Sequence, residues 1–257
     1  MESKDQLGRL HHFEKVPSRI VSLVPSQTEL LVDLGLREQL VGITKFCVHP
    51  QELRKQKVVV GGTKQVKFEK IASVQPDIII ANKEENTLKI VTELQRIAPV
   101  WVSDIYTVDD SLDFIRAMGV LFGRDELAAD LIKAIGTART DFNKHIQGKP
   151  LLKTAYLIWK TPYMAAGHNT FIGDLLRENA FENIITDPKG RYPEVDLKIL
   201  QQADQILLSS EPYPFKEKDR AELEAQLGVT VKLVDGEYFS WYGSRLRQAF
   251  AYFKRLH

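Results

Sequence analysis

The sequence lacks the features that would assign several classes of protein at once. One cysteine, Cys47, stands in 257 residues, which excludes a disulfide scaffold. Neither sign of charge dominates: 35 basic and 34 acidic side chains leave a formal net charge of +1. A protein built for nucleic acid needs a surplus of Lys and Arg on one face, so that class is disfavoured. No run approaches 18 apolar residues, and nothing reads as a membrane span. The first 19 residues, MESKDQLGRLHHFEKVPSR, contain neither an apolar core nor a small-residue cleavage site. As it stands the sequence reads as cytoplasmic, or periplasmic or surface-bound if a leader was removed. There is no G-x-S-x-G elbow, no G-x-x-x-x-G-K-[ST] phosphate loop and no G-x-G-x-x-G fingerprint, so an enzyme is not expected. Gly61-Gly62-Thr63-Lys64 reads as a tight turn after residues 58–60. Flexible Gly/Ser linkers are missing as well.

What is present is an ordinary globular composition, 44% apolar and 27% charged, arranged in two similar halves. In the first, β-type runs at 20–24, 41–43, 78–80 and 100–102 are separated by helical stretches. One helix, over 28–34, is expected to be capped by Ser26 or Thr28 and closed by Gly35. Residues 108–146 show only helical spacing, with Leu127, Leu131, Ile135, Ala138 and Phe142 on one stripe. Gly123-Arg124 divides this stretch, and Gly148-Lys149-Pro150 ends it. Beyond Pro150 the β-type runs resume at 154–159, 183–185, 205–208 and 231–234. An echo links the halves: FEKIASVQPD before Ile78 and VDLKILQQAD before Gln205 both end in Asp. Gln27-Thr28-Glu29-Leu30 likewise resembles Asn169-Thr170-Phe171-Ile172.

These patterns predict an α/β protein of two Rossmann-like lobes with parallel sheets, 1–104 and 151–257. A helical segment, 105–150, supplies a single long interlobe helix, and a ligand cleft is expected between the lobes. Ligands of open α/β sheets bind beyond the carboxyl ends of the strands. That singles out Pro25, Ser26, Phe46, Cys47, His49, Asn82 and His168. It also singles out 237–242, where Tyr238, Phe239, Trp241 and Tyr242 could offer a flat ligand a stacking surface.

The ordered set from Asp5-Gln-Leu-Gly8-Arg9 through Pro17-Ser-Arg19-Ile20-Val-Ser-Leu-Val-Pro25-Ser-Gln-Thr28-Glu29 and Gly61-Gly62 continues into Phe68-Glu69-Lys70-Ile71 and Pro76-Asp77-Ile78-Ile79-Ile80. With Gly167-x-x-Thr170-Phe171 and Asn183-Ile184, it resembles the helical-backbone substrate-binding proteins of ABC importers. These carry cobalamin, haem or ferric siderophores, and the cobalamin-binding branch is the nearest. The resemblance implies two lobes on one rigid helix that close little on their ligand. It also implies a chain that needs no cofactor of its own and binds a corrinoid, haem or another iron chelate; no exposed heptad or long apolar patch points to an oligomer, so a monomer is expected. Phe46, Trp159 and Tyr192 fall on aromatic ligand-binding positions. Thr63 and Asn82 stand where the relatives carry tryptophan, and Trp241 and Tyr242 could replace that surface. Glu69 matches a glutamate that docks to an ABC permease; the second such position falls on Lys198, two residues after Asp196.

Cys47 and His49 admit a second reading. Two residues apart after a strand, they would share a face, with His168 as a further ligand, in a cytoplasmic protein holding a metal or cluster for redox or cofactor-insertion chemistry. The plainer reading packs Cys47 as a small hydrophobe and uses His49 to set the turn before Pro50.

Overall fold

The computed structural model describes residues 1–186 and 190–257. The chain opens with a hairpin that the sequence pattern does not announce, β1 (Glu2–Lys4) and β2 (Leu10–His12), antiparallel, with Ser3 opposite His11. Next come β3 (Ile20–Ser22), α1 (Pro25–Asp33), β4 (Leu40–Ile43), the short α2 (Leu53–Gln56) and β5 (Val58–Val59). They are followed by α3 (Phe68–Ser73), β6 (Ile78–Asn82), α4 (Leu88–Leu94) and β7 (Val100–Ser103). Two long helices then occupy the centre, α5 (Val108–Phe122) and α6 (Asp125–Ile146). The rest is β8 (Leu152–Trp159), β9 (Met164–Ala165), α7 (Phe171–Glu178), β10 (Phe181–Asn183), α8 (Leu197–Leu200), β11 (Gln205–Ser209), α9 (Glu217–Leu227), β12 (Thr230–Val234), α10 (Glu237–Ser240) and α11 (Leu246–Phe253).

The chain divides into two compact units. One holds residues 1–105, 109–136 and 242–247, the other 106–108, 137–241 and 248–257. The helix α6 passes from the first unit to the second between residues 136 and 137.

In the first unit the strands run parallel in the order β5-β4-β3-β6-β7. Helices cover both faces, so the central strands are apolar almost throughout: all of Ile78–Asn82 is buried. In the second unit β10-β8-β11-β12 are parallel, with the short β9 antiparallel to β8. The order β4-β3-β6-β7 in one sheet is therefore the order β10-β8-β11-β12 in the other. Separate cores fill the two units. Val21, Leu23, Ile79, Val100 and Val102 anchor one, while Ala155, Leu157, Ile206, Leu208 and Val231 anchor the other.

The paired aspartates of the sequence echo do the same work in each sheet. Asp77 donates its N–H to the carbonyl of Arg19, and its Oδ2 accepts the N–H groups of Ser18 and Arg19 (2.8 and 3.0 Å). Asp204 donates to the carbonyl of Lys153 and accepts the Lys153 N–H at 2.7 Å. Each locks the entry to one strand onto the start of its neighbour.

Three local expectations are corrected. The helix α1 starts at Pro25, with Val24 as its cap residue and no side-chain cap. Proline suits that first position because its missing N–H would lack a partner there anyway. Thr28 lies inside the helix and returns its hydroxyl to the Val24 carbonyl (3.0 Å), so neither Ser26 nor Thr28 is the cap. On α6, Leu127 is 45% exposed and Ala128 takes the inward place. The reason is Gly119 of α5, where an added Cβ would lie 2.5 Å from that of Ala128. Lastly, β10 ends at Asn183 rather than beginning there, because its side chain turns the chain by bonding the Ala166 carbonyl and the Ile185 N–H (2.9 and 3.0 Å).

Candidate functional site

In the first unit, the carboxyl ends of the strands are tied together by buried polar side chains. Gln27 of α1 donates through Nε2 to Ser103 Oγ (2.8 Å), Tyr242 Oη (3.0 Å) and the Ala81 carbonyl (3.2 Å). Asn82 Nδ2 reaches the same Ser103 Oγ at 2.9 Å. Its Oδ1 accepts the N–H groups of Glu84 and Glu85, which folds the loop after β6 back on itself. Asn86 extends this support by donating to the Thr63 carbonyl at 2.8 Å, fixing the loop after β5. Sequence reasoning missed Ser103 and the part played by Gln27. The available signal was a polar residue ending each buried apolar strand, Asn82 after four apolar residues and Ser103 after Val100-Trp101-Val102.

The residues expected to meet ligand separate into two groups here. Asn82 and Ser26 are buried, and Asn82 is committed to the loop, so it is a scaffold rather than a contact surface. Pro25 and Thr63 remain half-buried. Phe46 is 49% exposed, large and apolar, at the end of β4. Its N–H bonds Thr44 Oγ1 at 3.3 Å, and one ring edge lies so close to Gly62 that a Cβ there would sit 3.1 Å away. The Lys45 ammonium lies 4.9 Å from the ring centroid.

Cys47 and His49 do not share a face. The strand ends at Ile43, and a turn follows in which the Cys47 N–H bonds the Thr44 carbonyl at 3.2 Å, so strand alternation no longer applies. Cys47 is fully buried, with Sγ 3.1 Å from Thr28 Oγ1 and 3.3 Å from Thr44 Oγ1. Burial pushes its thiol up from the usual 9.0, against the smaller pull of these two hydroxyls. Its thiol is thus a packed hydrogen-bonding group, the reverse of what thiolate ligation requires. His49 is half-buried and belongs to the first unit, whereas His168 is exposed in the second. Among the described residues no group of three or more His, Cys, Asp and Glu side chains could hold a metal ion.

In the second unit Trp159 ends β8 and is 41% exposed. It packs edge-on against Tyr213 (5.6 Å, 69°), which in turn packs on Phe215 (4.7 Å, 66°). Tyr192 is set by backbone pairing. Ala165 N–H bonds the Pro193 carbonyl (3.0 Å), Gly167 N–H bonds the Arg191 carbonyl (2.8 Å), and Val195 N–H bonds the Tyr163 carbonyl (2.9 Å). Glycine at 167 permits this close approach, since a Cβ there would lie 3.0 Å from the Gly190 carbonyl oxygen. This pairing brings the segment that bears Tyr192 beside the one that bears His168.

The aromatic cluster near the C-terminus is core, which corrects the expectation that it offers a stacking surface. Phe239 is fully buried against Tyr156 and Phe253, and Tyr238 stacks on Tyr252 at 4.6 Å. Trp241 and Tyr242 are each 7% exposed. Trp241 Nε1 donates to Glu211 Oε1 (3.0 Å), and Ser240 Oγ donates to the same oxygen (2.6 Å). Burial raises the Glu211 carboxyl above the ordinary 4.5, outweighing these two bonds. The helical turn α10 carries Tyr238 and Phe239, of which Phe239 points into the core, and Trp241 and Tyr242 follow it as buried side chains.

Glu69 is exposed in the first turn of α3. The corresponding helix before β11 is α8, whose second residue, Lys198, occupies the place of Glu69; Asp196 caps that helix through Ile199 N–H (3.0 Å).

Each of the two open parallel sheets, alike in strand order, has an exposed aromatic at or just beyond a strand's carboxyl end. The family model described as periplasmic binding protein matches residues 20–227, and the chain belongs to that family, which is one of binding proteins. It is 25% identical to the vitamin B12-binding protein of Pectobacterium atrosepticum over 238 residues, covering 90% of this chain and 85% of that one. In fold it is similar to the periplasmic vitamin B12-binding protein BtuF of Vibrio cholerae, with TM-score 0.80 and 20% identity over 93% of this chain and 96% of the other. A periplasmic haem-binding protein from Pseudomonas aeruginosa gives TM-score 0.78 and 20% identity, covering 93% and 92%. Among the described residues no helix is long and apolar enough to cross a membrane.

Proposed function

We propose that this chain is a non-catalytic, monomeric binding protein for a flat metal-centred macrocycle, a corrinoid before haem, which it passes to an ABC permease. The observation that carries this reading is the exposure of Phe46 and Trp159. Each is a large aromatic at the carboxyl end of a strand, where packing would ordinarily bury it. Tyr192, on its paired segment, is the third aromatic offered, with Thr63 and His168 as polar neighbours for a ring's rim. The identity of 25% to a protein named for vitamin B12 points the same way. Glu69, exposed in the first turn of α3, is the side chain offered to a permease, while Lys198 presents the opposite charge at the matching place. Binding of this kind needs preformed walls and stacking and no reacting group.

A thermal-shift panel tests the proposal: aquocobalamin, cyanocobalamin, cobinamide, haem and a ferric siderophore, each added to the purified chain. A ligand at about 100 times its dissociation constant adds about 2.7 kcal/mol to stability. For a chain of this size that raises the melting temperature by roughly 5–10 °C. The expected result is a shift with the corrinoids, weakened about tenfold in affinity by Phe46→Ala or Trp159→Ala. A flat response to the whole panel would overturn the reading.

A further inference from the structure

The carboxyl end of the first unit's sheet is electrically uneven. Residues 44–67, which connect β4 to β5 and lead away from it, contain Lys45, Arg54, Lys55, Lys57, Lys64 and Lys67 against a single carboxylate, Glu52. That carboxylate is already bound to Arg37 at 2.7 Å. The loop after β6 is different: Lys83 is paired with Asp104 at 2.6 Å, and Glu84 and Glu85 follow it. Lys57 opens the parallel strand β5 at its amino end, so of these cations Lys45, shortly after β4, and Lys64, after Gly61-Gly62, are the ones that follow strand carboxyl ends.

Lys45 is the cation of this group that lies over the Phe46 ring. Its N–H bonds the Gly61 carbonyl at 2.8 Å, and Arg54 Nη1 donates to its carbonyl at 3.1 Å, so the backbone beneath the side chain is held from both ends. Gly62 leaves room for both side chains, since a Cβ there would meet Phe46 at 3.1 Å and the Lys45 stem at 3.5 Å. The ammonium 4.9 Å from the Phe46 centroid is thus carried on the same turn as the ring.

Given the proposed reading that a flat ring stacks on Phe46, we infer that Lys45 is a specificity residue that selects ligands bearing a carboxylate on the rim. The Lys45 ammonium lies over the Phe46 ring, within reach of the rim of a ring that stacks there, and residues 44–67 contain no carboxylate except the one held by Arg37. An ammonium carried over an aromatic face is positioned for an anion on a ligand's rim, with an attraction that salt screens. An amide rim receives only a hydrogen bond from the same group.

The test compares two corrins with the same ring, dicyanocobinamide with its amide rim and dicyanocobyrinic acid with its carboxylates, titrated by calorimetry against the full chain. The acid is expected to bind about fivefold more tightly at low salt. That preference should vanish in Lys45→Gln, survive in Lys45→Arg, and fade on going from about 20 mM to about 0.5 M salt as screening shortens. Phe46→Ala should weaken both corrins alike. Equal binding of the two by the unaltered protein, or a preference unchanged in Lys45→Gln, would overturn the role of Lys45 and leave ring binding intact. Failure of both corrins and of ferric protoporphyrin to bind would instead remove the ring reading, and this inference with it.

Discussion

The two units share a strand order but secure their equivalent edge strands by different means. In the first, β7 is held by the N-terminal hairpin: Arg9 Nη2 donates to the Val100 carbonyl at 2.9 Å and Trp101 Nε1 to Ser3 Oγ at 3.2 Å. In the second, β12 is held by the C-terminal residues, with Lys232 Nζ donating to the Leu256 carbonyl at 3.1 Å and the Asp235 N–H donating to Tyr252 Oη at 2.9 Å. Exposed edges invite pairing with other chains, so each unit covers its own, using whichever terminus lies nearest in sequence. The shared sheet shows what the repeated unit needs internally; the unlike edges show what had to be added for each unit to stand as a finished surface.

The largest expected effect comes from the added part. Asp5 is buried at the base of the hairpin and accepts bonds from Leu7 N–H (3.0 Å), Arg9 N–H (2.8 Å), Arg9 Nε (2.8 Å) and Val102 N–H (3.3 Å). Burial alone would raise its carboxyl, but His11 and Arg9 outweigh it and hold the value at about 2, below the ordinary 3.8. A depressed carboxylate stabilises the fold fully above its unfolded value and loses that contribution as pH falls through the folded value. Chemical denaturation should therefore show the first unit losing about 2 kcal/mol between roughly pH 4 and pH 2. Asp5→Asn should cost about 3 kcal/mol at neutral pH and flatten that acid dependence, because Arg9 then keeps a half-buried charge without its partner.

Next in size is the contrast between the repeated aspartates. Asp77 accepts from two backbone N–H groups and the Ser18 hydroxyl (3.0 Å), Asp204 from one backbone N–H. Asp77→Ala should cost about 1–2 kcal/mol and Asp204→Ala less than half of that, measured on the full chain in urea. Equal losses would show that the backbone pairing alone secures both strands.

The echo also contains an unlike pair. Thr170 caps α7 by accepting Gly173 N–H at 2.9 Å, whereas Thr28 sits inside α1. Thr170→Ala should cost about 1 kcal/mol, the usual value for a lost cap. Thr170→Ser should restore most of it, since the accepting oxygen is kept. The smallest effect concerns reactivity rather than stability. Cys47, buried with a raised thiol value, should react with a thiol reagent only slowly in the native protein at pH 8 and at once after unfolding. Rapid modification without unfolding would restore Cys47 as an accessible group.

Several levels of organisation were legible in the residues. Alternating β-type and helical runs located β3, β4, β6, β7, β8, β11 and β12 within one or two residues, because strands buried on both faces must be apolar throughout. The break at Gly123 and the length of α6 were legible too, as was Phe46 at a strand end. The hairpin β1–β2 was not. Its strands are three residues long and polar, and the bonds that order it come from Val100 and Val102, nearly a hundred positions away.

Local sequence determined which stretches become strand or helix, where the long helix breaks, and that two similar sheets follow one another. Those choices depend on neighbours within a few residues: side-chain periodicity, glycine at positive φ, proline at a helix start. Tertiary structure decided which side chains remain for a ligand. Trp241, Tyr242, Asn82 and Cys47 carry the residue types of a binding surface, yet each is enclosed by partners distant in sequence, among them Glu211, Gln27, Ser103 and Thr28. Phe46 and Trp159 have the same apolar character and stay open: Phe46 lies on the turn after Ile43, and Trp159 is the last residue of β8, beyond the Leu157–Leu208 pair that ends its pairing with β11. Burial is a property of what packs on a residue, and no window of sequence contains that.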